Sequence, residues 1–170
     1  MTTVVIGSLT ITEGASEAEW GYAAQPDQSG RPALFTDATG AEAGYGGPIR
    51  RAASAPQGFD LSAIEVLHEG SPRVAVSVYR KPDGTSFEIE QAALREPSQE
   101  EMIIPPSGLK QVSIGSLPAA AWTVQLPPPL LRAAPVRYAC LAWEEDGYRF
   151  LATSTCLEED DLVSVAQSLS

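Results

Sequence analysis

The stretch Val136–Ser170, VRYACLAWEEDGYRFLATSTCLEEDDLVSVAQSLS, decides the fold. It reads as a strand, a tight turn, a second strand and a capped amphipathic helix. In the first strand Tyr138, Cys140 and Ala142 share one face, and Leu141 and Trp143 the other, because side chains alternate along a strand. Glu144–Gly147 turns the chain, and Tyr148, Phe150 and Ala152 return on the second strand. The helix follows from local chemistry. Thr155-x-x-Glu158 fits a capping box, in which hydroxyl and carboxylate meet the free N–H groups of the first turn. Glu158, Glu159, Asp160 and Asp161 place negative charge where the helix dipole favours it. Leu162, Val165, Ala166 and Leu169 recur at three- and four-residue steps and make one apolar stripe. A helix this short is marginal alone in water. The stripe therefore predicts a sheet beneath it.

Working outward, the pattern upstream is also one of strands. Arg73–Lys81, RVAVSVYRK, puts Val74, Val76 and Val78 on one face and Arg73, Ser77 and Tyr79 on the other. Pro82-Asp83-Gly84 turns it, since proline presets φ and glycine supplies a positive φ. Thr85–Ala92 answers as a partner strand, with Phe87 and Ile89 inward and Glu88 and Glu90 toward water. Leu61–Leu67 precedes this hairpin as a strand. Leu109–Ser113 and Ala120–Leu126 pair around Gly115-Ser116, and the prolines after Leu126 end the second of them. Glu96–Glu101 reads as a polar loop. Toward the start, Thr3–Thr12 reads as one strand, Glu19–Ala24 and Pro32–Thr36 as short ones, and Gly40–Gly47 as a flexible joint. Short connections without helical crossovers exclude a parallel sheet. The expected class is α+β, mainly β: a curved antiparallel sheet with the C-terminal helix packed on one face. Residues 1–44 form an N-terminal β-containing extension to the unit 45–170, the whole being one compact body.

Composition narrows the function. The chain has 170 residues, 44% of them hydrophobic, enough for an ordinary core. Its formal net charge is −11, which repels phosphate backbones and anionic membrane surfaces. Nucleic acid is thus excluded as a partner. No apolar run approaches the roughly 20 residues of a membrane-spanning helix, so direct membrane insertion is not expected. The start, MTTVVIGSLTITEG, has neither the basic nor the long apolar region of a signal peptide, which leaves two readings open: a cytoplasmic protein, or an exported one whose export segment has been removed.

Several residues together carry a family resemblance. Pro56, Gly58 and Phe59 open a segment, Tyr79 ends a strand before an Asp-Gly hairpin, and Trp143, Gly147 and Tyr148 mark the last hairpin. Leu162, Ala166, Ser168 and Leu169 lie in the closing helix. This set resembles a family of uncharacterised bacterial extracytoplasmic domains, found in lipoproteins and as the outer part of anti-sigma-factor-like membrane proteins. The resemblance spans about residues 45–170 and has no counterpart for 1–44. It implies a place outside the cytoplasm (periplasmic or at the cell surface), a binding or regulatory role, and no catalytic residues.

The residues themselves offer little chemistry. His68 is the sole histidine, at a strand end, and reads as a solvated turn residue. No nucleophile elbow or phosphate-binding glycine loop occurs. The clusters Glu144–Asp146 and Glu158–Asp161 stand at opposite ends of one strand, about 25 Å apart at the usual rise per residue, too far for paired acid–base work. No metal or cofactor is implied. Cys140 and Cys156 are open to two readings, a disulfide or two small apolar residues. The loop Pro127, Pro128, Pro129, Leu130 and Leu131 reads either as a rigid connector or as a protruding contact for a partner protein. The expected function is therefore a non-enzymatic binding or regulatory domain. The alternative is an assembly subunit whose N-terminal strand augments a neighbour's sheet.

Overall fold

A computed structural model describes residues 2–14, 33–67, 73–94, 99–126 and 136–170. Its main sheet has eight strands: β3 (Ala33–Phe35), β4 (Asp60–Leu67), β5 (Val74–Arg80), β6 (Ser86–Ala93), β8 (Lys110–Ile114), β9 (Leu117–Leu126), β10 (Val136–Glu145) and β11 (Tyr148–Ser154). The spatial order is β3-β4-β5-β6-β11-β10-β9-β8, and every neighbour is antiparallel. The fold class is as the alternation predicts. A second sheet of three strands runs β1 (Thr3–Ile6), β2 (Leu9–Glu13) and β7 (Glu100–Ile104). Among the described residues two helices complete the set, α1 (Ala38–Tyr45) and α2 (Glu159–Gln167).

The main sheet is covered differently on its two faces. On one, α2 sets Leu162, Val165 and Ala166 into a core with Phe87, Ile89, Leu141, Trp143 and Phe150. Trp143 and Phe150 stack with ring centroids 5.0 Å apart, and the register pairs them directly across β10 and β11. On the other face the small sheet brings Val4, Ile6, Leu9 and Ile11 against Ala120, Trp122, Cys140 and Ala142. The segment before β4 holds down the end of α2. Arg51 and Ser170 exchange both backbone hydrogen bonds, at 3.0 and 3.1 Å.

Four departures from the sequence reading have local causes. Gly40–Gly47 is not a joint but most of α1. Asp37 caps the helix by accepting from the Gly40 N–H at 2.6 Å, and Gly46 ends it in the left-handed region at φ 83°. Ala41 and Tyr45, one turn apart, bury against Ile64, Val66 and Ala75, which outweighs the cost of an internal glycine. Thr3–Thr12 is not one strand but the β1–β2 hairpin, turned at Gly7-Ser8. The clue is a slip of phase: Val4 and Ile6 are even, Leu9 and Ile11 odd, and all four are buried. Of the segment read as a polar loop, Glu100 and Glu101 open β7, which pairs in parallel with β2. The exclusion of parallel pairing thus holds in the main sheet and fails here, because the whole of β3–β6 separates the two strands in sequence. Finally, the capping box of α2 lies three residues later than expected. Glu158 is the N-cap and Asp161 its reciprocal partner.

Leu162 is fully buried at the centre of the helix seam. Leu162→Ala is expected to lower unfolding stability by about 2–5 kcal/mol, the usual cost of such a truncation. Urea titration measures it. A loss under about 1 kcal/mol would mean that α2 does not rest on the sheet.

Candidate functional site

The loop Pro127–Leu131 and His68 lie outside the described residues. The cysteines lie within them, and both are free. Cys140 is buried in the cluster between the two sheets. Cys156 is exposed beyond β11, with its sulfur 3.4 Å from the Ser154 hydroxyl, on the helix side of the main sheet. The two thiols thus stand unpaired in different surroundings, one inside the core and one at the surface. Burial pushes the Cys140 thiol up to about 12, so this group is inert at neutral pH.

The acidic clusters are held in structural pairs. Arg50 bridges Glu145 and Asp146, Arg137 grips both carboxylate oxygens of Glu158, and Lys110 and Thr123 hold Glu159. Among the described residues no group of three or more His, Cys, Asp or Glu side chains is placed to hold a metal ion.

What the fold does build is an anchored sheet with an edge left open among the described residues. The anchor is Glu144. Its carboxylate accepts the Ser8 N–H and hydroxyl, each at 2.8 Å, and the Arg149 guanidinium at 2.8 and 3.1 Å. Arg149 also reaches Glu100 on β7 and donates to the Ser8 hydroxyl. Burial alone would raise the Glu144 carboxyl. The Ser8 N–H, Arg149 and the Ser8 hydroxyl outweigh it and hold the group below the usual range. Gly7 adopts φ 54° over this carboxylate, and a Cβ there would collide with it. At the far end Glu13 accepts the N–H groups of Leu109 at 2.7 Å and Ser107 at 3.1 Å. The small sheet is thus pinned at both ends to the main one.

Among the described residues its free edge is β1. The two-residue turn makes Ile6 and Leu9 a hydrogen-bonded pair, and Glu13 N–H donates to Thr2 at 2.9 Å. Pairing therefore falls on residues 2, 4 and 6, and the N–H and C=O groups of Thr3 and Val5 point outward. They take no partner among the described residues. The Val5 side chain is 56% exposed on the outer surface of the sheet, as is Ile103 at 52%. Other edges carry the usual protection. β3 is only three residues long, β7 bears Glu100 and Glu101, and β8 bears Lys110. β1 is four uncharged β-formers, TVVI. The sequence offers Thr3–Thr12 as an augmenting strand, and the phase slip at Gly7 narrows that edge to β1.

A second feature lies on the small-sheet side of the main sheet. Register places Glu65 and Glu90 on either side of Val76, and Glu88 opposite Val78. Burial raises the Glu90 carboxyl, and repulsion from Glu88 adds to it; Glu88 moves the same way, by desolvation and then by repulsion from Glu65. A carboxyl raised in the fold stabilises it below the unfolded value of about 4.3, and that contribution is lost as pH rises through the folded value. Glu90→Gln should accordingly raise the melting temperature at pH 7, with the gain shrinking toward zero near pH 4. A gain independent of pH would dissociate it from this carboxyl.

No family model matches the chain, and neither a curated protein nor a solved structure is significantly similar to it.

Proposed function

We propose that this chain is a non-enzymatic binding or regulatory domain that works by protein–protein contact outside the cytoplasm. The family resemblance of residues 45–170 supports the compartment and the role. One observation supports the mode of contact: β1 is an anchored, uncharged strand whose outer edge takes no partner among the described residues. Such an edge accepts an extended segment by backbone hydrogen bonds, and the alternate side chains supply selectivity. The Glu144 clamp fixes it in place, so little order has to be gained on binding. The reading of the chain as an assembly subunit draws on the same edge.

Val5→Pro tests the contact. Proline deletes an outward N–H that the hairpin does not use, and edge strands tolerate it there. The variant is expected to keep its far-ultraviolet dichroism and melting temperature within a few degrees. It should lose capture of those partners from the extracytoplasmic fraction that the unaltered protein retains. Identical capture by both proteins would remove β1 from the contact. Gly7→Ala, which strains the turn and strikes Glu144, should instead destabilise the whole small sheet, by about 1–3 kcal/mol.

A further inference from the structure

We infer that β1 pairs with β1 of a second copy of this chain, joining two small sheets into one of six strands. This rests on the reading of β1 as a contact edge and names its occupant. The argument is one of self-complementarity. Thr3 and Val5 carry the outward backbone groups, and they stand two residues apart about Val4. Turned through a two-fold axis at Val4, Thr3 of one copy faces Val5 of the other, and the reverse. Each of these facing pairs exchanges both its hydrogen bonds, about four in all, with Val4 opposite Val4 between them. Residues on facing positions keep their side chains on one side, so each Val4 and Ile6 stays against its own core and each Val5 stays outside.

Charge selects the same patch. Each copy carries −11, so any approach through the acidic surface is repelled. Residues 2–12 have no charged side chain, and β1 is the one edge strand among the described residues that is both charge-free and longer than three residues. Four paired residues bury far less than the roughly 1,200 Å² of a standard interface, so the dimer is weak and concentration-dependent. Its salt response has a definite sign. Added salt screens the repulsion between two acidic bodies and tightens the pair. A basic partner on this edge would be loosened by salt instead.

Sedimentation equilibrium of the full chain, from micromolar to millimolar, tests this at about 20 and 300 mM sodium chloride. The unaltered protein should show reversible dimerisation that strengthens with salt. Val5→Pro removes two of the four bonds by symmetry and should weaken it roughly tenfold or more. Amide hydrogen exchange on the unaltered protein gives a second reading that needs no variant. Protection at Thr3 and Val5 should rise with protein concentration while Val4 and Ile6 stay unchanged. A monomer throughout, or a dimer indifferent to Val5→Pro without added protection at Thr3 and Val5, overturns self-pairing. If the chain is monomeric yet Val5→Pro still abolishes partner capture, self-pairing falls and the binding reading stands. If capture and dimer are both indifferent to the substitution, both fall.

Discussion

Burial of β10 on both faces is the constraint from which the rest of the structure follows. Five residues in a row, Ala139 to Trp143, are inaccessible, where a strand with one wet face would alternate. Leu141 and Trp143 meet α2, while Cys140 and Ala142 meet the small sheet. The molecule is therefore three layers deep at this strand. The neighbours of β10 make that depth feasible. Ala119, Ala120 and Ala121 on β9 are all fully buried, and their small side chains let both outer layers come close. Large residues stand next to them, Trp122 on one face and Trp143 on the other. One orphan remains in this packing, since the Trp143 indole N–H finds no acceptor among the described residues. Such a group costs about 1–3 kcal/mol, and the area that the indole buries offsets it.

The layers are fastened by polar contacts at their rims, not by more apolar area. Glu144 sits where β10 leaves the core, and its carboxylate collects donors from the β1–β2 turn and from β11. Glu13 does the same for the loop before β8. Both carboxyls are held below their ordinary range. Their contribution is fully present above the unfolded value and is lost as pH falls through the folded one. Glu90 has the opposite sign. Acid therefore loosens the pins of the small sheet while relieving the β4–β6 face of the main one, and these two sets of carboxyls respond to pH in opposite directions.

The main sheet was legible because its strands alternate in the ordinary way and its turns carry their own chemistry. Asp83-Gly84 and Asp146-Gly147 supply positive φ at the glycine, and the paired registers follow from them. The helix seam was legible for the same reason, down to Leu162 and Val165. What escaped depends on partners distant in sequence. The run Met102–Ile104 has no hairpin mate; it becomes a strand only because β2 is already pinned beside it. α1 has two glycines within its eight residues and little intrinsic helicity. Its cap at Asp37 and the burial of Tyr45 decide the matter, and only the first of these is local. The depth of the molecule was written in the continuous ACLAW and AAAW runs, which resemble strands buried on both faces more than they resemble an alternating one.

Edge and charge belong to one physical design. A sheet edge left open invites indiscriminate pairing, and most edges here are closed by a charge or by brevity. β1 has neither device, yet it is attached to a body whose 22 acidic residues outnumber the 11 basic ones. The long-range field keeps most neighbours, and most copies of the chain, at a distance. An approach that aligns the short neutral strand sets no like charges directly against each other and so meets the least repulsion. The Glu144 clamp completes the arrangement. A floppy edge would yield to any partner that came near, whereas one fixed at Ser8 and at Glu13 presents its two outward peptide groups in a single geometry.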